Sequence, residues 1–343
     1  AATTTQTVCI NHAIADITYA VDDGGTGAGV TGLPNGVTGS FAGGVFTISG
    51  TPTEPGIFNY TVTTTGPCIN PSLTGTIEVE ANSTIALSSA SGTDDQTVCI
   101  NTAITGITYA IGGGGTSASI TSGSLPAGLT AAFHGGTFTI SGTPTESGNF
   151  PYTITTDGPC VNVSISGTLL VNANSTLTLS SASGTDEQIL CINNAISPIT
   201  YHIGDGATGA TITAGTLPTG VTGNFSSGVF TIQGTPTQPG TFNYTVTTTG
   251  PCEKVALGGT IKVNNNSTIA LSSASGSDNQ TVCINTPVAD ITYATGGGAT
   301  SAAITSGNLP AGLTGSYTNG TFTISGTPTE AGVFPYTITT EGP

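Results

Sequence analysis

Between Ile107 and Ile111 the apolar residues Ile107, Tyr109 and Ile111 fall at every second position. The same alternation places Phe138 with Ile140, and Phe150 with Tyr152 and Ile154. Ser83–Ser89 sets Ile85 and Leu87 on one face, Val98 and Ile100 flank Cys99, and Thr168–Val171 closes the unit. A period of two, bounded by Gly, Pro and Asn, is the pattern of short half-buried strands. No stretch shows the 3.6-residue stripe of a helix. The pattern predicts seven or eight strands in about 92 residues, the signature of an immunoglobulin-like β-sandwich.

This pattern is repeated. Cys9, Cys99, Cys191 and Cys283 stand 90, 92 and 92 residues apart, each in a Gln-Thr-Val-Cys-Ile-Asn-like segment. A second series, Cys68, Cys160 and Cys252, follows a Gly-Pro turn 59, 61 and 61 residues after the first. The first copy is two residues shorter than the others. Constant spacing marks a duplicated folding unit. It predicts four domains: 1–81, 82–173, 174–265 and 266–343, the last lacking its final strand. Copies one and three share FNYTVTTTGPC, and copies two and four share FPYTIT, a hint of a two-domain period. Ser49–Pro52, Ser141–Pro144, Gln233–Pro236 and Ser325–Pro328 read as turns built on Gly and Pro. Asn59, Pro151, Asn243 and Pro335 share one position, and Pro cannot donate to a ladder. An edge or a bulge is expected there.

Composition narrows the classes of function. Charged residues are 6% of the 343, Lys254 and Lys262 are the only cations besides histidine, and the net charge is −16. A nucleic-acid surface needs clustered Lys and Arg, and a polybasic membrane anchor needs the same. Both are excluded. Hydrophobic residues make up 36%, enough for a core, so Gly and Pro serve turns rather than disorder. No apolar run reaches the roughly 20 residues of a membrane helix. Seven cysteines at fixed spacing point to an oxidising compartment.

The cysteines are the strongest chemical signal. Pairing within each repeat predicts Cys9–Cys68, Cys99–Cys160 and Cys191–Cys252, one disulfide per domain. Closing a loop of about 60 residues would remove roughly 4 kcal/mol of unfolded-state entropy. Under tension such a domain would release only the 31 residues outside its loop. Cys283 would pair with a cysteine expected just after Pro343. The ending Glu341-Gly-Pro343 matches Asp157-Gly-Pro159 before Cys160, so the array is expected to continue. Ala1–Thr5 has no counterpart of Ser83–Ser89; its AATTT sequence departs from the SGTDD pattern, as a mature N-terminus would.

Other chemistry is sparse. His12, His134 and His202 occupy three different repeat positions, and none has a cysteine or carboxylate at ligand spacing. No catalytic residue, metal or cofactor is expected. The acidic pairs Asp22-Asp23, Asp94-Asp95 and Asp186-Glu187 are candidates for weak calcium binding, with Asp94, Asp186 and Asp278 equivalent; a turn role suits them better, because calcium cages gather several carboxylates. Gly112–Gly115 lacks the Lys and helix of a phosphate loop. Asn-x-Ser/Thr sequons occur at Asn59, Asn82, Asn162, Asn174, Asn224, Asn243, Asn266, Asn279 and Asn319.

The stretch LPAGLTAAFHGGTFTISGTPTESGNFPYTITT, Leu125–Thr156, resembles the immunoglobulin-like domain family of bacterial surface proteins, and it recurs in all four copies. The cysteine pair and the STIALSSASGTD connector resemble the long arrays of Bacteroidota gliding and attachment proteins. The resemblance implies type IX secretion and a place on the outer cell surface. Two functions follow as expectations. The first is a structural stalk or filament, with copies of itself as partners. The second is an adhesin whose loops hold a glycan or a host-surface protein. Repetition without a unique loop favours the stalk, and the absence of Trp leaves few platforms for sugar.

Overall fold

The computed structural model describes residues 4–342, so Ala1–Thr3 and Pro343, part of the expectations about both ends, lie outside it. Every regular element is a strand, as the alternation requires. Repeat 1 forms β1 (Thr5–Cys9), β2 (Ile17–Ala20), β3 (Gly27–Thr31), β4 (Val37–Ala42), β5 (Val45–Gly50), β6 (Gly56–Thr65) and β7 (Ser72–Glu80). Repeat 2 forms β8 (Ser83–Leu87), β9 (Asp95–Cys99), β10 (Ile107–Gly113), β11 (Ser117–Gly123), β12 (Leu129–His134), β13 (Thr137–Gly142), β14 (Gly148–Asp157) and β15 (Ser164–Asn172). Repeat 3 forms β16 (Ser175–Leu179), β17 (Glu187–Cys191), β18 (Ile199–Asp205), β19 (Gly209–Gly215), β20 (Val221–Ser226), β21 (Val229–Gly234), β22 (Gly240–Thr249) and β23 (Ala256–Asn264). Repeat 4 forms β24 (Thr268–Leu271), β25 (Ile291–Gly296), β26 (Ser301–Gly307), β27 (Leu313–Thr318), β28 (Thr321–Gly326) and β29 (Tyr336–Glu341).

Repeat 2 shows the architecture. One sheet has the order β12-β13-β10-β8 and the other β11-β14-β15-β9. The first-cysteine strand β9 pairs parallel with β15, with Cys99 opposite Asn172. This is the arrangement of an immunoglobulin-like sandwich, and it is all-β throughout. The chain falls into two compact units, Ala1–Ala173 and Asn174–Pro343. Each holds two separate apolar cores, one per repeat.

Each core is crossed by a pair of tyrosines, one from each sheet. Tyr19–Tyr60, Tyr109–Tyr152, Tyr201–Tyr244 and Tyr293–Tyr336 are hydrogen-bonded through their hydroxyls at 2.8, 2.9, 3.1 and 2.9 Å. Tyr60 donates onward to the Thr4 carbonyl and Tyr152 to that of Asp94. Opposite them in the ladder stand Gly75, Gly167 and Gly259. A Cβ at any of these would overlap the tyrosine hydroxyl, so the position is closed to every other residue.

The recurring motifs lock backbone to backbone. Gly36 of the Leu-Pro-Asn-Gly turn lies against the Thr51 carbonyl, and Thr51 donates its N–H to the Gly36 carbonyl at 3.0 Å. Asn11 takes φ 63° and donates its N–H to the Pro52 carbonyl at 2.9 Å; Asn101, Asn193 and Asn285 repeat this with the equivalent prolines. Asn tolerates this left-handed conformation better than most residues. The Pro151 position lies in the central strand β14, where β11 ends with Gly123 opposite Tyr152. A bulge between Ile120 and Ser122 precedes that end. In repeat 3 the equivalent carbonyl, that of Asn243, accepts from the N–H of Thr216, beyond the end of β19.

Burial pushes the hydroxyl pKa of Tyr60, Tyr152, Tyr244 and Tyr336 well above the ordinary phenol value of 10.0. Tyr109 and Tyr201 shift the same way, again chiefly through burial. A phenol whose folded value exceeds its unfolded value keeps its proton longer in the folded chain. The stability it confers is therefore complete below about pH 10 and falls as pH rises past that point. Alkaline titration followed by circular dichroism should show unfolding midpoints dropping only above about pH 10. Tyr152→Phe should cost about 1–2 kcal/mol in denaturant titration. Gly167→Val, which forces a side chain into the hydroxyl pair, should cost more, about 3 kcal/mol or above.

Candidate functional site: the cysteine staple between repeats

The parallel pairing of β1 with β7 places Cys9 opposite Glu80, at the end of the last strand. Cys68 lies in the turn between β6 and β7, at the opposite end of the same antiparallel pair. Nine residues of strand separate the two levels, roughly 25–30 Å at the rise of a strand. A disulfide needs Cα atoms within about 7 Å. The expected Cys9–Cys68 bond therefore cannot form. Pairing within a repeat would need the first-cysteine strand to end beside the turn that precedes the last strand, and it ends at the opposite end of that strand instead.

Cys9 is bonded instead to Cys160, with a Cα–Cα distance of 5.6 Å and a sequence separation of 151. The expected Cys99–Cys160 bond is thereby also ruled out. Cys252 is disulfide-bonded, as is Cys99, but Cys252 is not bonded to Cys191. Cys68 and Cys283 are exposed free thiols.

The geometry of the junction explains the exchange. Only Ala81 and Asn82 separate β7 from β8. The turn between β14 and β15 folds back over this short link. Ser83 donates its N–H to the Val161 carbonyl at 3.0 Å, and its hydroxyl to Asn162 Oδ1 at 3.1 Å. Val161 donates its N–H to Asn82 Oδ1 at 3.3 Å. Cys160 is thus delivered to the exit end of repeat 1, where Ile10 donates to the Glu80 carbonyl at 2.9 Å and Cys9 ends its strand. In repeat 3 the turn carrying Cys252 makes the same bracket: Ser175 donates its N–H to the Glu253 carbonyl at 3.0 Å, and Asn174 donates to the Glu253 carboxylate at 2.9 Å.

A glutamine fixes the loop beyond each first-cysteine strand. Gln6, Gln96, Gln188 and Gln280 each donate to a backbone carbonyl nine residues on and accept that residue's N–H, at distances between 2.7 and 3.0 Å. The partners are Ala15, Thr105, Ser197 and Ala289. The fixed place of glutamine three residues before each cysteine is the signal that could have revealed this clamp.

The remaining candidates do not converge. His12 is exposed, with Nδ1 3.3 Å from the Ile10 carbonyl. His134 ends β12 and His202 lies exposed on β18. Among the described residues the one cluster with three potential metal ligands is Cys9, Glu80 and Cys160, and its sulfurs are consumed by the disulfide. Asp94, Asp186 and Asp278 are not gathered with other acids into such a cluster. The Asp94 and Asp186 carbonyls instead accept the N–H of Thr168 and Thr260 at 2.9 and 2.8 Å. A cleft of about 390 Å³ beside Tyr152 is lined by Ser, Thr, Gly and a single carboxylate, Asp95.

In the chain-entropy picture, closing a loop of 151 residues removes about 5 kcal/mol from the unfolded state. Digestion of the native protein without reductant, followed by mass spectrometry, should recover the Cys9 peptide joined to the Cys160 peptide. Cys160→Ser should lower the stability of repeats 1 and 2 together, by about 3–5 kcal/mol. A bond between Cys9 and Cys68 in that digest would contradict the geometry.

No family model matches the chain, and no curated protein matches it. Among solved structures it is similar to the I-band fragment I67-I69 from titin: TM-score 0.56, 10% identity, over 76% of this chain and 95% of the other. An E-to-A mutated variant of the same three immunoglobulin domains matches at TM-score 0.56 and 11% identity, over 75% of this chain and 94% of the other. At these identities the likeness establishes the fold: the chain is a series of immunoglobulin-like sandwiches.

Proposed function

We propose that the chain is a load-bearing segment of an extracellular stalk or filament. Its units are the four domains 1–81, 82–173, 174–265 and 266–343, and it is not an enzyme. The observation that carries this reading is the staple from Cys9 to Cys160, which joins one repeat to the next.

Force entering at Thr5 and leaving at Asn172 meets two devices. The first is the parallel pairing of the first-cysteine strand with the last strand, in β1–β7 and β9–β15. Tension pulls the start of one strand and the end of the other in opposite directions, so the ladder is sheared and its hydrogen bonds are loaded together. The second is the disulfide. It passes force directly from β1 to the segment before β15 and shields everything between residues 9 and 160. A passive mechanical element needs these features and no active site. The disulfide chemistry supports an oxidising location outside the cytoplasm, and the surface-protein resemblance of Leu125–Thr156 agrees with it. A surface of Thr and Ser with almost no Lys or Arg offers trypsin-like proteases two sites.

Single-molecule stretching across Ala1–Ala173 tests this. The oxidised unit should release only the residues outside the loop, roughly 75 Å of contour, and the reduced unit roughly 600 Å. Equal release in both states would refute the shielding role.

A further inference from the structure

The staple between repeats 1 and 2 has a third member. The register of β1 on β7 sets Cys9 opposite Glu80. Cys160 Sγ lies 3.9 Å from the Glu80 carboxylate and 3.7 Å from the Glu80 carbonyl, and Cys9 Sγ lies 3.6 Å from the Pro159 carbonyl. The two sulfurs and a Glu80 carboxylate oxygen all fall within 4.8 Å of one another, and all three residues are half-buried. Both lysines of the chain, Lys254 and Lys262, belong to repeat 3, so repeats 1 and 2 hold no lysine or arginine to neutralise this carboxylate.

The strand pairing does not require an acid at this position. Opposite Cys99 and Cys191 stand Asn172 and Asn264, and the same parallel ladder forms there with a neutral amide. A carboxylate also accepts nothing from a disulfide, whose sulfurs carry no proton. Beside two thiolates it has a use: two sulfurs and one carboxylate oxygen suit a borderline-soft divalent cation such as zinc. Tetrahedral coordination at ordinary bond lengths sets two sulfurs about 3.8 Å apart, and a sulfur and a carboxylate oxygen about 3.5 Å apart. The 3.9 Å from Cys160 Sγ to Glu80 is already close to that value. With Cα atoms 5.6 Å apart, the sulfurs need only side-chain rotation to reach theirs once the bond between them is broken. A cleft of about 330 Å³, lined in part by Glu78, Glu80, Ala81 and Pro159, opens beside the staple and gives an ion and its water a way in.

We propose that the reduced staple is a metal site, in which Cys9, Cys160 and Glu80 are the ligands of one zinc ion. A phosphine reductant takes its oxide oxygen from water and passes two electrons and two protons to the disulfide, which becomes two thiols. Zinc then replaces both thiol protons, which pass to solvent. The two thiolates neutralise the cation, and the Glu80 carboxylate fixes it to β7. Repeats 1 and 2 thereby keep a bridge under reducing conditions, through a metal ion in place of the sulfur–sulfur bond. The proposal does not depend on the mechanical reading, since it concerns what bridges the junction and not what load crosses it.

The test reduces the full 343-residue chain with a phosphine, adds zinc stepwise, pulses with an alkylating agent and reads each cysteine by peptide mass spectrometry. Alkylation of Cys9 and Cys160 should slow together and saturably, by about tenfold or more, because the metal holds the thiolates that would react. Glu80→Asn installs the residue that repeat 2 carries at this place. It should form the Cys9–Cys160 disulfide when oxidised, yet need about tenfold more zinc for the same protection when reduced. Cys99, opposite Asn172, should likewise need about tenfold more zinc than Cys9. Unchanged alkylation of Cys9 and Cys160, including through loss of the fold on reduction, would overturn the proposal. Equal protection in Glu80→Asn, or of Cys99, would overturn it too.

Discussion

The parallel pairing of the first-cysteine strand with the last strand governs much of what surrounds it. Because β1 and β7 run the same way, Cys9 finishes level with Glu80, where the chain leaves the repeat. Because β6 and β7 run oppositely, the second cysteine sits at the far end, where the preceding repeat would abut. One choice of strand direction thus turns two cysteines that belong to the same repeat into halves of two different staples. The two-residue link between β7 and β8 keeps the β14–β15 turn beside that exit. A longer link would let the β14–β15 turn drift from Glu80, and Cys160 would no longer reach Cys9.

The pairing of the cysteines shows where sequence reasoning stops. The separation of 151 between Cys9 and Cys160 is as regular along the array as the separation of 59 or 61 within a repeat. Periodicity cannot choose between them, because both series repeat with the domain. The choice is made by strand direction, which alternation of apolar residues does not encode. The strands themselves were more legible. Ile107–Ile111, Phe138–Ile140 and Phe150–Ile154 all lie in strands with the expected faces inward. β11 and β12 were harder to see: their outer positions are Ser, Thr and Ala, and several point to solvent, so hydrophobic contrast is weak. The tyrosine pairs left a trace that composition hides. Tyr109 and Tyr152, Tyr201 and Tyr244, and Tyr293 and Tyr336 keep a spacing of 43 in each of three repeats.

Two polar devices replace what a richer core would supply. The repeats contain no Trp or Met, and aromatic residues are 6% of the chain. Each core closes on a tyrosine pair whose hydroxyls satisfy one another, with Tyr60 and Tyr152 also reaching a backbone carbonyl. Buried hydroxyls left unpaired would cost about 1–3 kcal/mol each. The glycine in the last strand makes room for them. The glutamine clamp does similar work at the rim, pinning a nine-residue return with two bonds from one amide. Both devices depend on hydrogen bonds among neutral groups. They are therefore insensitive to salt, as suits a chain whose net charge of −16 gives it few ion pairs to form.

On the mechanical reading proposed above, the staple and the clamped strand would act on different parts of the response to force. The sheared ladder would set how much tension a repeat resists before any strand slips. The disulfide would set how far the chain can lengthen once one has. If the cysteines had paired within repeats, the junction between repeats 1 and 2 would have been joined covalently only by the two-residue link Ala81-Asn82. Pairing across the junction places a second covalent connection beside that link. On the same reading, tension and bending at that junction would be shared between a peptide link and a disulfide whose Cα atoms are 5.6 Å apart. Stiffness would thereby be built in between repeats 1 and 2, at the kind of exposed link where domains of one chain ordinarily move relative to each other.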